Sequence, residues 1–391
     1  MARKICVVIT ARPSYSRVKT VLEAVKRHPD LQLQLVVAAS ALLERYGRVE
    51  EQIIADGFNI DARVFMVLEG ENPTSMAKTT GIGLIELATV FDRLQPDVVV
   101  TIADRFETLA TATAAAYMGV PLAHIQGGEV TGSIDERVRH AVTKLADIHF
   151  PASDQAARHI IRMGENPATV HMVGCPSIDL AARSSPTDTL SFDPFEMYGG
   201  VGEVLDLSDG FIVVMQHPVT TEFGQSQAQV NEVLAAVHRA GRPAVWFWPN
   251  VDAGADGTSQ GIRRFREKNR DSAIHFFKNM APSHFLELLQ HCECIVGNSS
   301  VAIRECSFLG VPAVNVGSRQ LGRERGRNVL DVGYNADEIF TALSKQISSG
   351  QRTPDHIYGD GEAGARIAEI LAQAELHADK KLTYGLEGPE E

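Results

Sequence analysis

Short, dense apolar runs alternate with segments of helical spacing along nearly the whole chain. Residues 4–10 form one such run. A turn, Thr10-Ala11-Arg12-Pro13-Ser14-Tyr15-Ser16, follows it, and residues 17–27 place Val18, Val21, Leu22 and Val25 on one helical face. A second run over 31–38 completes a βαβ unit. Strands that are apolar without alternation are buried on both faces, so the pattern predicts a parallel sheet. The same reading predicts helices over 81–94 and 137–146, the latter capped by Ser133 or Asp135, and strands over 96–102 and 121–125. Residues 147–152 and 170–176 complete the first half. Residues 181–209 lose the pattern and are richer in Pro, Ser, Thr and Gly, which marks a linker. Strands then recur over 210–215, 243–248, 273–277, 294–296 and 312–316, with helices over 225–239, 262–270, 284–291 and 301–309. A last helix covers 364–378. The expected class is α/β, with two Rossmann-like doubly wound domains facing across a cleft. They span 1–180 and 181–365, and 366–391 returns to the first domain as a helix and tail.

Composition narrows this picture only a little. Of 391 residues, 44% are hydrophobic and 22% charged, as in ordinary globular proteins. No apolar run reaches the roughly 18 residues that a membrane span needs, so no membrane partner is expected. The start, Met1-Ala2-Arg3-Lys4-Ile5, lacks a cleavage site and reads as the approach to the first strand. The five cysteines are scattered without zinc-type spacing and read as reduced core thiols, so a cytoplasmic location is expected. A net charge of −12 argues against nucleic acid as a partner. It leaves room for an anionic small ligand, which needs only local cations.

Such cations, and carboxylates, collect where the apolar runs end. Open α/β sheets bind ligands at the carboxyl ends of their strands. Arg12 follows the first strand, and Asp104 and Arg105 follow the strand over 96–102. Gln126, Glu129 and Asp135 lie on the loop after 121–125. In the second half, His217, Asn250, Asp252, Ser299 and Ser300 all stand just past strands. The turn Gly297-Asn298-Ser299-Ser300 opens the predicted helix over 301–309, whose N-terminus would suit a phosphate. Glu305, one turn further, would accept from a ribose diol. The loop Gly317-Ser318-Arg319-Gln320-Leu321-Gly322-Arg323 is basic and Gly-rich. Taken singly, each residue is explained as well by a cap or a solvated charge. Gathered on edge loops, they point to a site for a nucleotide diphosphate with carboxylates for acid and base work. No GxGxxG, GxxxxGK[ST] or HExxH motif is present.

Several segments then become specific in combination. They are Ala103-Asp104-Arg105-Phe106, Gly127-Gly128-Glu129-Val130-Thr131-Gly132 with Ile134-Asp135, Arg139-His140-Ala141-Val142-Thr143-Lys144-Leu145, and Gly174-Cys175-Pro176-Ser177. Gln216-His217-Pro218-Val219-Thr220-Thr221, Pro249-Asn250-Val251-Asp252-Ala253-Gly254, Gly297-Asn298-Ser299-Ser300 and Gly317-Ser318-Arg319-Gln320 continue the series. In this order, over about residues 4–375, the chain resembles the hydrolysing UDP-N-acetylglucosamine 2-epimerases that begin sialic-acid-type sugar synthesis. The resemblance implies the GT-B-like twin-domain fold shared with nucleotide-sugar transferases. It also implies a UDP-sugar substrate, no metal or other cofactor, and a homodimer or homotetramer. UDP would be eliminated to leave a 2-acetamidoglucal, and water would then add to give N-acetylmannosamine. Arg12, His217, Ser299, Ser300, Glu305 and Arg319 would hold UDP, with Asn250 near the nucleotide. Asp104 and Asp135 would be acid/base residues placed by Arg105 and Arg139, with Arg105 also touching substrate and His217 close to the chemistry.

Two positions depart from that family. Gln126 stands where many relatives carry the Glu of a His-x-Glu-Gly-Gly segment, and Gln does not exchange a proton near neutral pH. Either Glu129 replaces it or Asp104 and Asp135 suffice. Ala41 stands where relatives have a His near the sugar. Together they suggest a modified hexose, such as a 2,4-diacetamido sugar on a legionaminic-type route. A glycosyltransferase, a non-hydrolysing epimerase and a catalytically silent nucleotide-sugar sensor are the competing readings.

Overall fold

The computed structural model describes residues 2–44, 49–70, 72–131, 134–184, 189–249 and 254–383. It divides into two compact units: 1–130 with 135–179 and 359–391, and 131–134 with 180–358.

The first unit is built on strands β1 (Arg3–Ile9), β2 (Leu31–Ala38), β3 (Ala62–Val64), β4 (Val98–Ile102), β5 (Leu122–Ile125) and β6 (Ile148–Phe150). They form one parallel sheet in the order β3-β2-β1-β4-β5-β6. Successive strand side chains point to opposite faces, and both faces here are apolar. Ile5, Val7 and Ile9 join Val98, Val100, Val21, Leu22 and Val25 in one layer. Cys6 and Val8 join Val36, Val99, Leu87 and Phe91 in the other. Full burial of a side chain of this size contributes about 1.5–3 kcal/mol, which is why the central strands β1 and β4 show no polar alternation.

The second unit repeats the plan with β7 (Ile212–Met215), β8 (Ala244–Phe247), β9 (Ile274–Phe277), β10 (Cys294–Gly297), β11 (Ala313–Val316) and β12 (Val329–Val332). Its order, read from the other edge, is β9-β8-β7-β10-β11-β12, so both sheets have the doubly wound Rossmann arrangement. Ile212, Val214, Trp246 and Val296 pack in one layer, and Val213, Val245 and Ile295 in the other. In such a sheet the strand order reverses between the first and fourth strands. The carboxyl ends of β1 and β4, and of β7 and β10, therefore flank open crevices.

Helix boundaries differ from the sequence reading in informative ways. The helix expected over 81–94 starts at Pro73, because Asn72 and Ser75 form a reciprocal capping box ahead of it. The segment expected as a turn after β1 is a short helix, Arg12–Ser16, with Pro13 at its start. The last helix, Ala363–Gln373, packs in the first unit, burying Ile367 and Leu371 with Val21 and Leu22. The Asp179 carboxylate caps it, accepting from the backbone N–H of Ala363 (2.9 Å) and Gly364 (2.7 Å) and from Thr20 Oγ1 (2.9 Å). All five cysteines are free and buried. Among the described residues, no helix is long and apolar enough to cross a membrane.

Candidate active site

In the first unit the chain makes unusual turns where β2, β4 and β5 end. Ala39, Ala103 and Gln126 have φ of 51°, 64° and 62°, which L side chains seldom adopt. The turn at Ala103 sets the direction of Asp104. After Ala103, the carboxylate of Asp104 meets the guanidinium of Arg139, whose side chain is 1% exposed against 14% for Asp104. Arg139 Nη1 also donates to the Glu129 carbonyl at 2.8 Å, so one arginine ties the β4 loop to the β5 loop. Arg105 is turned the other way. Its Nε and Nη2 each reach the buried Glu107 carboxylate at 3.2 Å.

Asp135 lies in the first turn of the helix Ile134–Leu145, half-buried and on the same face as Arg139 one turn on. The helix thus begins before the expected 137. Asp135 is inside it rather than capping it, and Ser133 lies outside the described residues. Gln126 is fully buried and donates from Nε2 to Cys175 Sγ at 2.9 Å, which in turn meets Ser177 Oγ at 2.9 Å. Glu129 is buried nearby on the same loop. Ala41 is also fully buried, its N–H donating to the Thr10 carbonyl at 3.2 Å. Arg12 opens the helix after β1. Burial lowers its pKa, and among the described residues it has no hydrogen-bond or ion-pair partner, which suits an incoming anion.

The sequence reading overlooked His124. It is fully buried on β5, with Nε2 2.8 Å from the Ala103 carbonyl and Nδ1 3.2 Å from Thr143 Oγ1. A carbonyl only accepts, so Nε2 carries the proton and the Thr143 hydroxyl donates to Nδ1. Burial pushes its pKa down to about 3 against the opposing pull of the Ala103 bond, and the ring is neutral.

In the second unit the strand ends converge on Asn298. Its Oδ1 accepts from the His217 N–H and its Nδ2 donates to the His217 carbonyl, both at 2.8 Å. Its own carbonyl accepts from Arg319 Nη1 at 3.2 Å and Gln320 Nε2 at 2.9 Å. One residue thus joins the loops after β7, β10 and β11. Gly297 makes this possible. Its φ is 134°, and a Cβ there would stand 2.2 Å from the Met215 carbonyl oxygen. Ser299 and Ser300 are buried beside it, and Ser299 Oγ accepts from the Val301 N–H at 3.4 Å.

The helix expected over 301–309 is not continuous. A 3-10 turn, Ser300–Ala302, is followed by a separate helix, Glu305–Leu309. β-Branched Val301 and Ile303 crowd a helical turn, and the buried Arg304 takes ψ of −73° at the break. Glu305 therefore starts a helix instead of sitting one turn inside it. Its Oε2 is buried without a hydrogen-bond partner among the described residues, leaving an acceptor for a ligand hydroxyl. Of the basic loop, Arg325 is engaged by Asp331 at 3.1 Å, while Arg319 stays at Asn298. Ser318 Oγ and Gln229 Nε2 both donate to the Glu222 carboxylate. Burial and then the Glu222 charge raise the Tyr334 phenol to about 12. Asn250 and Asp252 lie outside the described residues.

The sequence pattern of UDP-N-acetylglucosamine 2-epimerase matches residues 23–372. The chain belongs to the UDP-N-acetylglucosamine 2-epimerase family. It is similar to the UDP-N,N'-diacetylbacillosamine 2-epimerase (hydrolyzing) of Legionella pneumophila, 32% identical over 97% of this chain and 98% of that one. It is also similar to a UDP-N-acetylglucosamine 2-epimerase of Neisseria meningitidis, 29% identical over 96% of each. The crystal structure of UDP-GlcNAc 2-epimerase from Neisseria meningitidis bound to UDP-GlcNAc shares the fold, with a TM-score of 0.79 at 16% identity over 94% of this chain and 99% of that one. The resemblance read from the motifs is borne out at the level of the family. Asn298 bonds the backbone of His217, and His124 bonds the Ala103 carbonyl and the Thr143 hydroxyl, so each entered the motifs as a neighbour and not as a candidate in its own right. Their signal was adjacency, His124 two residues before Gln126 and Asn298 directly before Ser299.

Proposed function

We propose that the chain is a hydrolysing 2-epimerase whose preferred substrate is a UDP-2,4-diacetamido sugar. A base removes the C2 proton, the C1–O bond breaks, and its electron pair leaves on the diphosphate as UDP. The resulting 2-acetamidoglucal takes water at C1 and a proton at C2 from the opposite face, giving the free 2-epimeric sugar. Asp104, ion-paired with the buried Arg139, and Asp135 on the same helix face as Arg139 serve as the acid/base pair, with Glu129 available where relatives have an acid at position 126. Arg105 and Arg139 place them. Arg12, His217, Ser299, Ser300, Glu305 and Arg319 take up UDP, and Asn250 stands near the nucleotide. Cations and N–H donors aimed at the leaving diphosphate stabilise the charge that develops there.

The observation that carries the sugar preference is Gln126. It is a buried amide held by Cys175 at a position where the family resemblance implies an acid in many relatives. The likeness to a diacetylbacillosamine 2-epimerase supports it, as does the small, buried Ala41.

The test is NMR in deuterated water with UDP-N-acetylglucosamine and with the UDP-diacetamido sugar. The expected result is free UDP and a free 2-epimeric sugar carrying deuterium at C2, faster from the diacetamido substrate. A UDP-bound epimer without free UDP would replace the hydrolysing reading by the non-hydrolysing one. UDP binding without exchange at C2 in either sugar would leave a sensor.

A further inference from the structure

Ala103 is an alanine in a left-handed conformation, and the residue it re-aims is Asp104. Two hydrogen bonds hold that peptide. Its N–H donates to the Ile125 carbonyl at 2.9 Å, and its carbonyl accepts from His124 Nε2 at 2.8 Å. The other side of the same ring accepts from Thr143, which sits one turn beyond Arg139 on the helix that also carries Asp135. Gly127 leaves the space these contacts need: a Cβ there would stand 2.9 Å from both His124 Nδ1 and Thr143 Oγ1. One imidazole therefore joins the turn that aims one carboxylate to the helix that carries the other carboxylate and their shared arginine.

We propose that His124 is a positioning residue for the reaction, setting Asp104 against Arg139 and Asp135 through the Ala103 carbonyl and the Thr143 hydroxyl. This rests on the epimerase reading above. A proton-transfer role does not fit, because the ring is fully buried, both nitrogens are engaged, and it stays neutral over the working range. Misplacing a catalytic group by about 1 Å is enough to cost roughly 100-fold in rate.

The experiment compares the whole protein with H124Q, H124F and T143V, measuring kcat, KM, deuterium incorporation at C2 and the pH profile. The amide nitrogen of Gln reaches the place of Nε2 and keeps the donor to Ala103, whereas Phe keeps only the ring. H124F is expected to lose about 100-fold in kcat, with C2 exchange falling in step and KM within about 2-fold. H124Q recovers at least part of that loss, and both limbs of its pH profile stay where the wild type has them. T143V gives a smaller loss of the same kind and carries the test if H124F fails to fold. Full kcat in H124F and T143V would overturn the proposal. So would loss of a pH-profile limb in H124Q, which would make His124 a proton donor, or a rise in KM with kcat kept. A wild-type protein inert toward both UDP-sugars would instead overturn the epimerase reading, and this inference with it.

Discussion

In the proposed reaction the carboxylate that takes a proton from carbon must be aimed, and the ion pair with Arg139 holds Asp104 in one place. D104N keeps the shape and, on that reading, removes the base. It is expected to lower kcat by about 100- to 10,000-fold while calorimetry shows UDP affinity unchanged, because the UDP contacts assigned to the second unit are untouched. Asn298 predicts the opposite pattern. Its amide satisfies both the N–H and the carbonyl of His217, and N298A leaves them unpaired in a buried place. That costs about 1–3 kcal/mol of stability, read as a lower denaturation midpoint, and the displaced His217 loop is expected to weaken UDP binding in the same calorimetry. At this scale the sequence was legible where charge broke an apolar run, as at Asp104-Arg105, Asp135 and Arg319. It placed His124 and Asn298 inside quoted segments but gave them no role of their own. A buried polar side chain that organises neighbouring loops looks in sequence like any other polar residue at a strand end.

Elements were legible in proportion to their burial. The ten strands buried on both faces or nearly so announce themselves as apolar runs, whereas β3, Ala-Arg-Val, and β12, Val-Leu-Asp-Val, are short edge strands with charged members that no run betrays. The helix over 301–309 was over-read because its apolar residues have helical spacing, while the β-branched pair and the buried Arg304 break its backbone. The approach of β10 to β7 yields a stability prediction. G297A places a methyl group against the Met215 carbonyl in a backbone conformation that alanine resists. It is expected to lower stability by about 2 kcal/mol or more, seen as a lower denaturation midpoint together with weakened UDP binding. Unchanged midpoint and affinity would show that the β7–β10 junction yields easily.

The whole molecule carries an acid sensitivity that no single element reveals. His124 has its folded pKa pushed down to about 3 from 6.5 by burial, and burial also lowers His149 despite its bond to Glu165. The unfolded chain protonates these rings first, so their contribution is fully present above about pH 6.5 and falls away below it, for His124 as the pH drops toward 3. Burial raises the Glu165 carboxyl, but hydrogen bonds from His149, Lys144 and Lys380 outweigh it and hold the group at about 2, against 4.5 unperturbed. Its contribution is present above pH 4.5 and is lost as the pH falls toward 2. Thermal midpoints should therefore decline from pH 6.5 and decline more steeply below 4.5. H124Q should make the decline shallower from pH 6.5 down to about 3 and leave the share due to Glu165, and an equal slope in wild type and variant would count against the buried neutral ring.

The Asp179 cap on the last helix has a bearing on how the chain is made. The second unit, apart from 131–134, is one continuous stretch, 180–358, whereas the first needs residues from both before and after that stretch. During synthesis the ribosome releases everything required for the second sheet while Val21 and Leu22 still lack Ile367 and Leu371 to lie against. The domain begun first is thus the one finished last, and until the final helix emerges its apolar flank is open to chaperones and to other nascent chains.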